Sequence, residues 1–285
     1  MCICSKRANR LSIILALAAG VAVTAQTPQE PATSAPTTRP APDPETDRIL
    51  TRLEKRKVHD LRARLAWRQK YILDLEEDAV TKRGELWYQQ AKPVARFLIH
   101  FKEKIARGRR DKLDERHLFD GCWYVEVQSR TRTVQRREIR RPDDPADPYK
   151  IGEGVFPLPF GQRKDDILRE FDVQRLAPAA GDPSATDHLR LTPRAATRIG
   201  KSYKELDFWV SREGPLAGLP IKVRVAKKDG TGKVNSHITI TFDDVRLNEG
   251  FSGGVFEIKT PSGYTEYEPE RLKPIGPPPG EGGSS

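Results

Sequence analysis

From Leu61 to Arg68 the chain alternates: Leu61, Ala63, Leu65 and Trp67 are interleaved with Arg62, Arg64, Ala66 and Arg68. A period of two puts one set of side chains on one face of a strand and the other set on the opposite face, so this segment predicts a half-buried strand. The same period returns at Phe97, Ile99 and Phe101, and at Trp123, Val125 and Val127. It recurs at Leu206, Phe208 and Val210, at Ile221, Val223 and Val225, and at Ile238, Ile240 and Phe242. Strands with one wet face belong to antiparallel sheets, and Asp229-Gly230-Thr231-Gly232 between two of these runs is a hairpin turn signal. No strand–helix–strand rhythm appears, which excludes a parallel, doubly wound sheet.

Helical signals are few. Asp43 is placed to cap a helix that opens with Pro44 and carries Ile49, Leu50 and Leu53 on one face. Ile167, Leu168 and Phe171 behind Asp165 and Asp166 predict a second short helix. The segment Gly152 to Gln162 is apolar but interrupted by Pro157 and Pro159, which disfavours a regular strand or helix. Such a loop is either a plug in the core or part of a lid over a cavity.

The ends differ from the middle. Lys6, Arg7 and Arg10 precede the apolar run Leu11 to Val23, and small residues lead up to Ala25, the order of a cleaved secretory signal peptide over 1–25. Residues 26–43 are rich in Pro, Thr and Ala and are expected to form a flexible linker; 44–273 form the folded domain and 274–285 a flexible tail. Export would place the protein in the periplasm. Cys2 and Cys4 fall in the leader and leave Cys122 alone, which excludes a disulfide scaffold. Residues 47–141 carry 26 Lys and Arg against 15 Asp and Glu, so the basic excess lies in the first half. That excess implies either attraction to anionic head groups or an acidic partner, or simply solvated strand faces; export argues against nucleic acid.

The five histidines, His59, His100, His117, His188 and His237, lie at no metal-binding spacing, and no nucleophile elbow or phosphate-binding loop is present. No metal, cofactor or catalytic residue is expected, and the chain does not read as an enzyme. The pairs Asp143-Asp144, Asp165-Asp166 and Asp243-Asp244 read as turns and helix starts.

The order of several short motifs resembles the periplasmic outer-membrane lipoprotein carriers of the LolA family. They are Gly84-Glu85-Leu86-Trp87, Lys92-Pro93, Phe119-Asp120-Gly121 with Trp123-Tyr124, and Phe156-Pro157-Leu158-Pro159-Phe160 before Asp166-Ile167-Leu168. Leu189-Arg190-Leu191-Thr192-Pro193-Arg194 and Phe256 before Thr260-Pro261-Ser262-Gly263 continue the series. The resemblance spans most of residues 47–264. It implies a mainly β (α+β) fold, a curved antiparallel sheet forming an unclosed half-barrel with a few short helices as lid, around an apolar cavity for lipoprotein acyl chains. Lys92 stands where the family has an Arg, and the basic segment Arg107 to Arg116 has no counterpart in the compact carriers.

The resulting expectation is a soluble periplasmic carrier of lipoprotein acyl chains or another lipid, moving cargo between membrane-associated donor and acceptor proteins. The alternative is a non-transporting envelope lipid or lipoprotein sensor, or a protein-interaction module, on the same fold. Candidate cavity residues are Leu65, Trp67, Trp87, Phe97, Ile99, Phe101, Trp123, Val125, Phe208, Val210, Ile238 and Ile240, with Lys92, Phe156, Phe160 and Phe171 as lid candidates. Each of the apolar ones is equally compatible with an ordinary core.

Overall fold

The computed structural model describes residues 42–72, 77–91, 94–141, 158–194 and 197–272. The chain divides into two units, Met1–Pro40 and Ala41–Ser285, and every described residue belongs to the second. The expected leader and tail, most of the linker, Lys92 and Phe156 lie outside the described residues.

The elements run α1 (Pro44–Lys55), β1 (Asp60–Ile72), β2 (Glu77–Gln89), β3 (Arg96–Ala106), β4 (Arg109–Phe119), β5 (Trp123–Gln128) and β6 (Thr133–Glu138). They continue with α2 (Lys164–Glu170), β7 (Phe171–Leu176), β8 (Thr186–Pro193), α3 (Arg198–Ser202), β9 (Tyr203–Ser211), β10 (Pro220–Lys228), β11 (Val234–Leu247) and β12 (Thr265–Glu266). All the strands form one sheet, in the order β12-β6-β5-β4-β3-β2-β1-β11-β10-β9-β8-β7. The pairing is antiparallel except for β12 alongside β6. The two end strands do not pair with each other, so the sheet is the expected unclosed half-barrel.

The predicted strands occur where the period of two placed them, and the Asp229 to Gly232 turn joins β10 to β11. Phe171 departs from expectation. It is the first residue of β7 rather than part of the α2 face, and its ring is buried in the core. At the start of α1 the Asp43 carboxylate accepts from the backbone N–H groups of Glu45 and Thr46, at 3.1 and 3.0 Å. Ile49, Leu50 and Leu53 then enter the core, each contributing about 1.5–3 kcal/mol by burial. Arg52 pairs with the buried Asp187 of β8, and Lys164 of α2 pairs with Asp47 of α1. These contacts fasten the helices over the inner face.

The core has two parts. The larger lies on the inner face, where α1, Ile167 of α2, Leu158 and Phe160 meet the inward residues of β1–β5 and β7–β11. Phe160 lies 5.6 Å from Tyr88 and 5.2 Å from Phe242, ring centroid to ring centroid. Of the two roles open to the apolar loop, the described end of it plugs the core. The smaller part lies on the outer face, where Phe251, Val255, Phe256, Ile258 and Tyr264 cover Trp87, Leu98, Leu118, Trp123, Val125, Val127 and Val134. The segment after β11 is thus a strap across the back of β2–β6. Asn248 and Asp60 fix its start through backbone N–H groups of His59, Glu249 and Gly250.

Candidate functional site

Along the inner face, burial changes from one end of the strands to the other. Leu61, Ala63 and Leu65 of β1 are buried, whereas Trp67 and Gln69 are half-buried and Tyr71 is 39% exposed. In β2 the inward sequence passes from Tyr88 and Leu86 to Lys82 and Val80, and in β4 from Phe119 to His117 and Glu115. One end is closed and apolar; the other is open and polar.

Two irregularities mark the change. The β2–β3 register slips between Arg83 and Gly84, and the β3–β4 register slips between Phe101 and Glu103. A bulge bends its strand and increases local twist, so two at one level bend β3 and its neighbours where the inner face changes character. Gly84 makes the first possible: a Cβ there would stand 2.0 Å from the His100 carbonyl oxygen.

Beyond the bulges the inner face leaves a cavity of about 470 Å³, within the range of small-ligand sites. Trp67, Val80 and Phe101 give it an apolar floor, with Tyr71 at the rim. Lys82, Lys104, Glu115, His117, Tyr124, Glu126, Gln69 and Gln128 supply the polar lining.

Four of these form a continuous network. Lys82 Nζ donates to both Glu115 oxygens at 2.6 and 2.8 Å. His117 Nε2 lies 2.6 Å from Glu115 Oε1, and its Nδ1 lies 2.6 Å from the Tyr124 hydroxyl. The arrangement that satisfies all three groups has Nε2–H donating to the carboxylate and the Tyr124 O–H donating to Nδ1. Burial pushes the Glu115 carboxyl up, but hydrogen bonds from His117 and Lys82 and the Lys82 charge outweigh it and hold the pKa at about 2. Burial, reinforced by the Glu126 charge, pushes the Tyr124 hydroxyl far above its ordinary value. The network is therefore a fixed carboxylate and a fixed phenol. The rings stack around it: His117 meets Phe101 edge-on at 5.8 Å and Tyr124 nearly parallel at 6.0 Å, while Lys82 Nζ lies 5.5 Å above Phe101.

The structure divides the candidate cavity residues into three sets. Trp67, half-buried, and Phe101, buried with the core, line the cavity. Leu65, Phe97, Ile99, Phe208, Val210, Ile238 and Ile240 are on the same face but within the packed core. Trp87, Trp123 and Val125 lie on the outer face beneath the strap, which corrects their assignment to the cavity. Both faces of β2 and β5 are covered, so Leu86-Trp87-Tyr88 and Trp123-Tyr124-Val125 are apolar in both phases and their sequence does not reveal which phase points inward. Of the lid candidates, Phe160 and Phe171 are buried core.

Lys82, Glu115, His117 and Tyr124 were not singled out from the sequence. A signal existed: Glu115 and His117 share the phase of Phe119 in one strand, and a charged group in a buried phase calls for a partner. His117 alone among the strand histidines is in the inward phase; His100, His188 and His237 alternate with inward Ile99, Leu189 and Ile238. No group of three or more His, Cys, Asp or Glu side chains among the described residues is arranged to hold a metal ion. Asp165 and Asp166 open α2, and Asp244 sits at a bulge of β11 with φ 49°.

No family model matches the chain, and no curated protein matches it. Solved structures similar in fold include a DUF1329 family protein from Desulfovibrio piger, 14% identical, with a TM-score of 0.39 over 75% of this chain and 96% of that one. A LolA superfamily protein from Nitrosomonas europaea is 12% identical, with a TM-score of 0.37 over 75% of this chain and 97% of that one. An outer membrane lipoprotein-sorting protein domain from Vibrio parahaemolyticus is 13% identical, with a TM-score of 0.36 over 74% and 94%.

Proposed function

We propose that this protein is a periplasmic carrier that takes up an acyl chain of a lipoprotein or another lipid at the open end of the half-barrel. The observation that carries the reading is the cavity itself, where the half-buried Trp67 and Val80 and the edge of the buried Phe101 form an apolar floor. The closed end is packed, so the chain would lie over Trp67 and Phe101 rather than run the length of the barrel. The leader expected over 1–25 would deliver the protein to the space between the two membranes.

Each methylene moved from water is worth about 0.8 kcal/mol, so a chain of ~16 carbons would favour a fully apolar site by roughly 13 kcal/mol. A membrane offers nearly the same refuge. A cavity lined partly by Glu115, His117 and Gln128 gives less than that full value, and such a half-sheltered site suits release as well as uptake.

The test is native mass spectrometry of the protein purified from an envelope fraction without detergent, repeated on Trp67→Ala. A bound acylated ligand, lost or much reduced in a folded Trp67→Ala protein, is the expected result. Retention of the same ligand by that variant would move the site elsewhere. A ligand-free protein that also refuses added acyl chains would sink the carrier reading.

A further inference from the structure

A second cavity, of about 820 Å³, opens at the tips of β2–β5 and shares Val80 and Lys104 with the first. Among the described residues its lining includes Lys104, Arg107, Arg109, Lys112 and Arg130 and the carboxylate of Asp111. That carboxylate is already engaged by Arg109 at 3.1 Å. Lys104, Lys112 and Arg130 have no ion pair among the described residues. Among the described residues cations predominate in this basin, which opens beside the first cavity.

The backbone holds these charges in place. Arg107 and Gly108 both have positive φ, 51° and 72°, between paired Ala106 and Arg109, the geometry of a tight primed hairpin turn. Asn, Asp or Gly is the usual first residue of such a turn, and here an arginine occupies it. Arg130 follows β5 in the adjoining turn, so cations from two hairpins converge on one hollow.

We infer that the ligand is an anionic amphiphile, whose acyl chain lies over Trp67 and Phe101 while its phosphate or carboxylate sits in the basin of Lys104, Lys112 and Arg130. This inference rests on the acyl-binding reading above and adds to it the chemical class of the head group. Charge complementarity selects the occupant: Lys82 is committed to Glu115 and Arg109 to Asp111, leaving Lys104, Lys112 and Arg130 to an external anion.

The experiment uses two lysophospholipids of the same chain length, below their micelle concentrations, one with a phosphoglycerol head group and one with phosphocholine. Inorganic phosphate is the third probe. Affinities are measured by calorimetry for the unaltered protein and for Lys112→Glu/Arg130→Glu, both of whose substituted residues are solvent-exposed. The anionic lipid is expected to bind roughly tenfold more tightly than the zwitterionic one at low salt. That advantage should shrink as salt rises and vanish in the double variant, while phosphocholine binding, whose phosphate is offset by its own choline, changes less. Equal binding of the two lipids, untouched by the double variant, would overturn the head-group inference and leave acyl binding standing. Phosphate alone binding as tightly as the anionic lipid would also overturn it, in favour of a free-anion site. Binding of neither lipid would overturn the acyl reading and this inference together.

Discussion

The two ends of the inner face are built on the same strands in the same phase, yet they do opposite things. At the closed end Leu61, Leu86 and Ile99 are at most 1% exposed and Phe160 is wedged against Tyr88 and Phe242. At the open end the same strands offer Trp67, Lys82 and Phe101, and β4 adds Glu115 and His117. The contrast teaches that a half-barrel needs only part of its concave face for stability. Helices and a plug supply the core at one end, and two bulges mark where the other end opens.

The sharpest way to break this comparison is to empty the closed end. Phe160→Ala removes the ring between Tyr88 and Phe242 and is expected to cost about 3–5 kcal/mol, read as a fall in the urea midpoint at unchanged slope. A loss below 1 kcal/mol would mean that the plug is not part of the core and that the lid alternative was right. Next in size is Glu115→Ala at the open end, about 1–3 kcal/mol, because Lys82 and the His117 ring would lose their shared acceptor. Glu115→Gln, which keeps an acceptor without the charge, should recover part of that loss in thermal denaturation.

The same carboxylate sets a pH signature. Its folded value of about 2 lies below the ordinary 4.5, so its contribution is fully present above pH 4.5 and is lost as pH falls through about 2. Across that window the unaltered protein should lose more stability than Glu115→Gln. Parallel curves for the two would show that the Lys82–Glu115–His117 contacts do not form in solution.

The fold was legible because alternation is a local signal. Leu61 to Trp67, Phe97 to Phe101 and Ile238 to Phe242 state both the strand and its buried phase, and Asp43-Pro44 states where the first helix begins. The site was legible only in part. Trp67 and Phe101 stand out as large apolar groups in the right phase, but whether helices cover them depends on contacts between distant segments. Trp87, Trp123 and Val125 misled because residues 251–264 return to cover the outer face, a long-range event without a pattern in the strands themselves. Glu115 and His117 are not marked as a pair because apolar period-finding passes over the polar residues that finish a strand.

Trp67→Ala separates binding from stability. Trp67 is half-buried at the edge of the packed region, so its loss is expected to cost only about 1 kcal/mol in urea denaturation while removing much of the cavity floor. A variant that unfolds as readily as Phe160→Ala would erase the distinction between the two ends.

The smallest effect is expected at the turn before β5. Cys122 is half-buried before β5, and its thiol is pushed up by burial and by the Asp120 charge, which makes it a poor nucleophile. Its backbone N–H donates to Asp120 Oδ1 at 2.9 Å, its carbonyl accepts from the Ile139 and Arg140 N–H groups, and its thiol meets the Arg140 side chain. Serine keeps all three backbone bonds and nearly the same volume. Cys122→Ser should therefore shift stability by less than about 0.5 kcal/mol and leave lipid affinity unchanged, measured by urea denaturation and by the calorimetry used for the head-group test. A loss of binding in this variant would place the ligand at the turn before β5 rather than over Trp67.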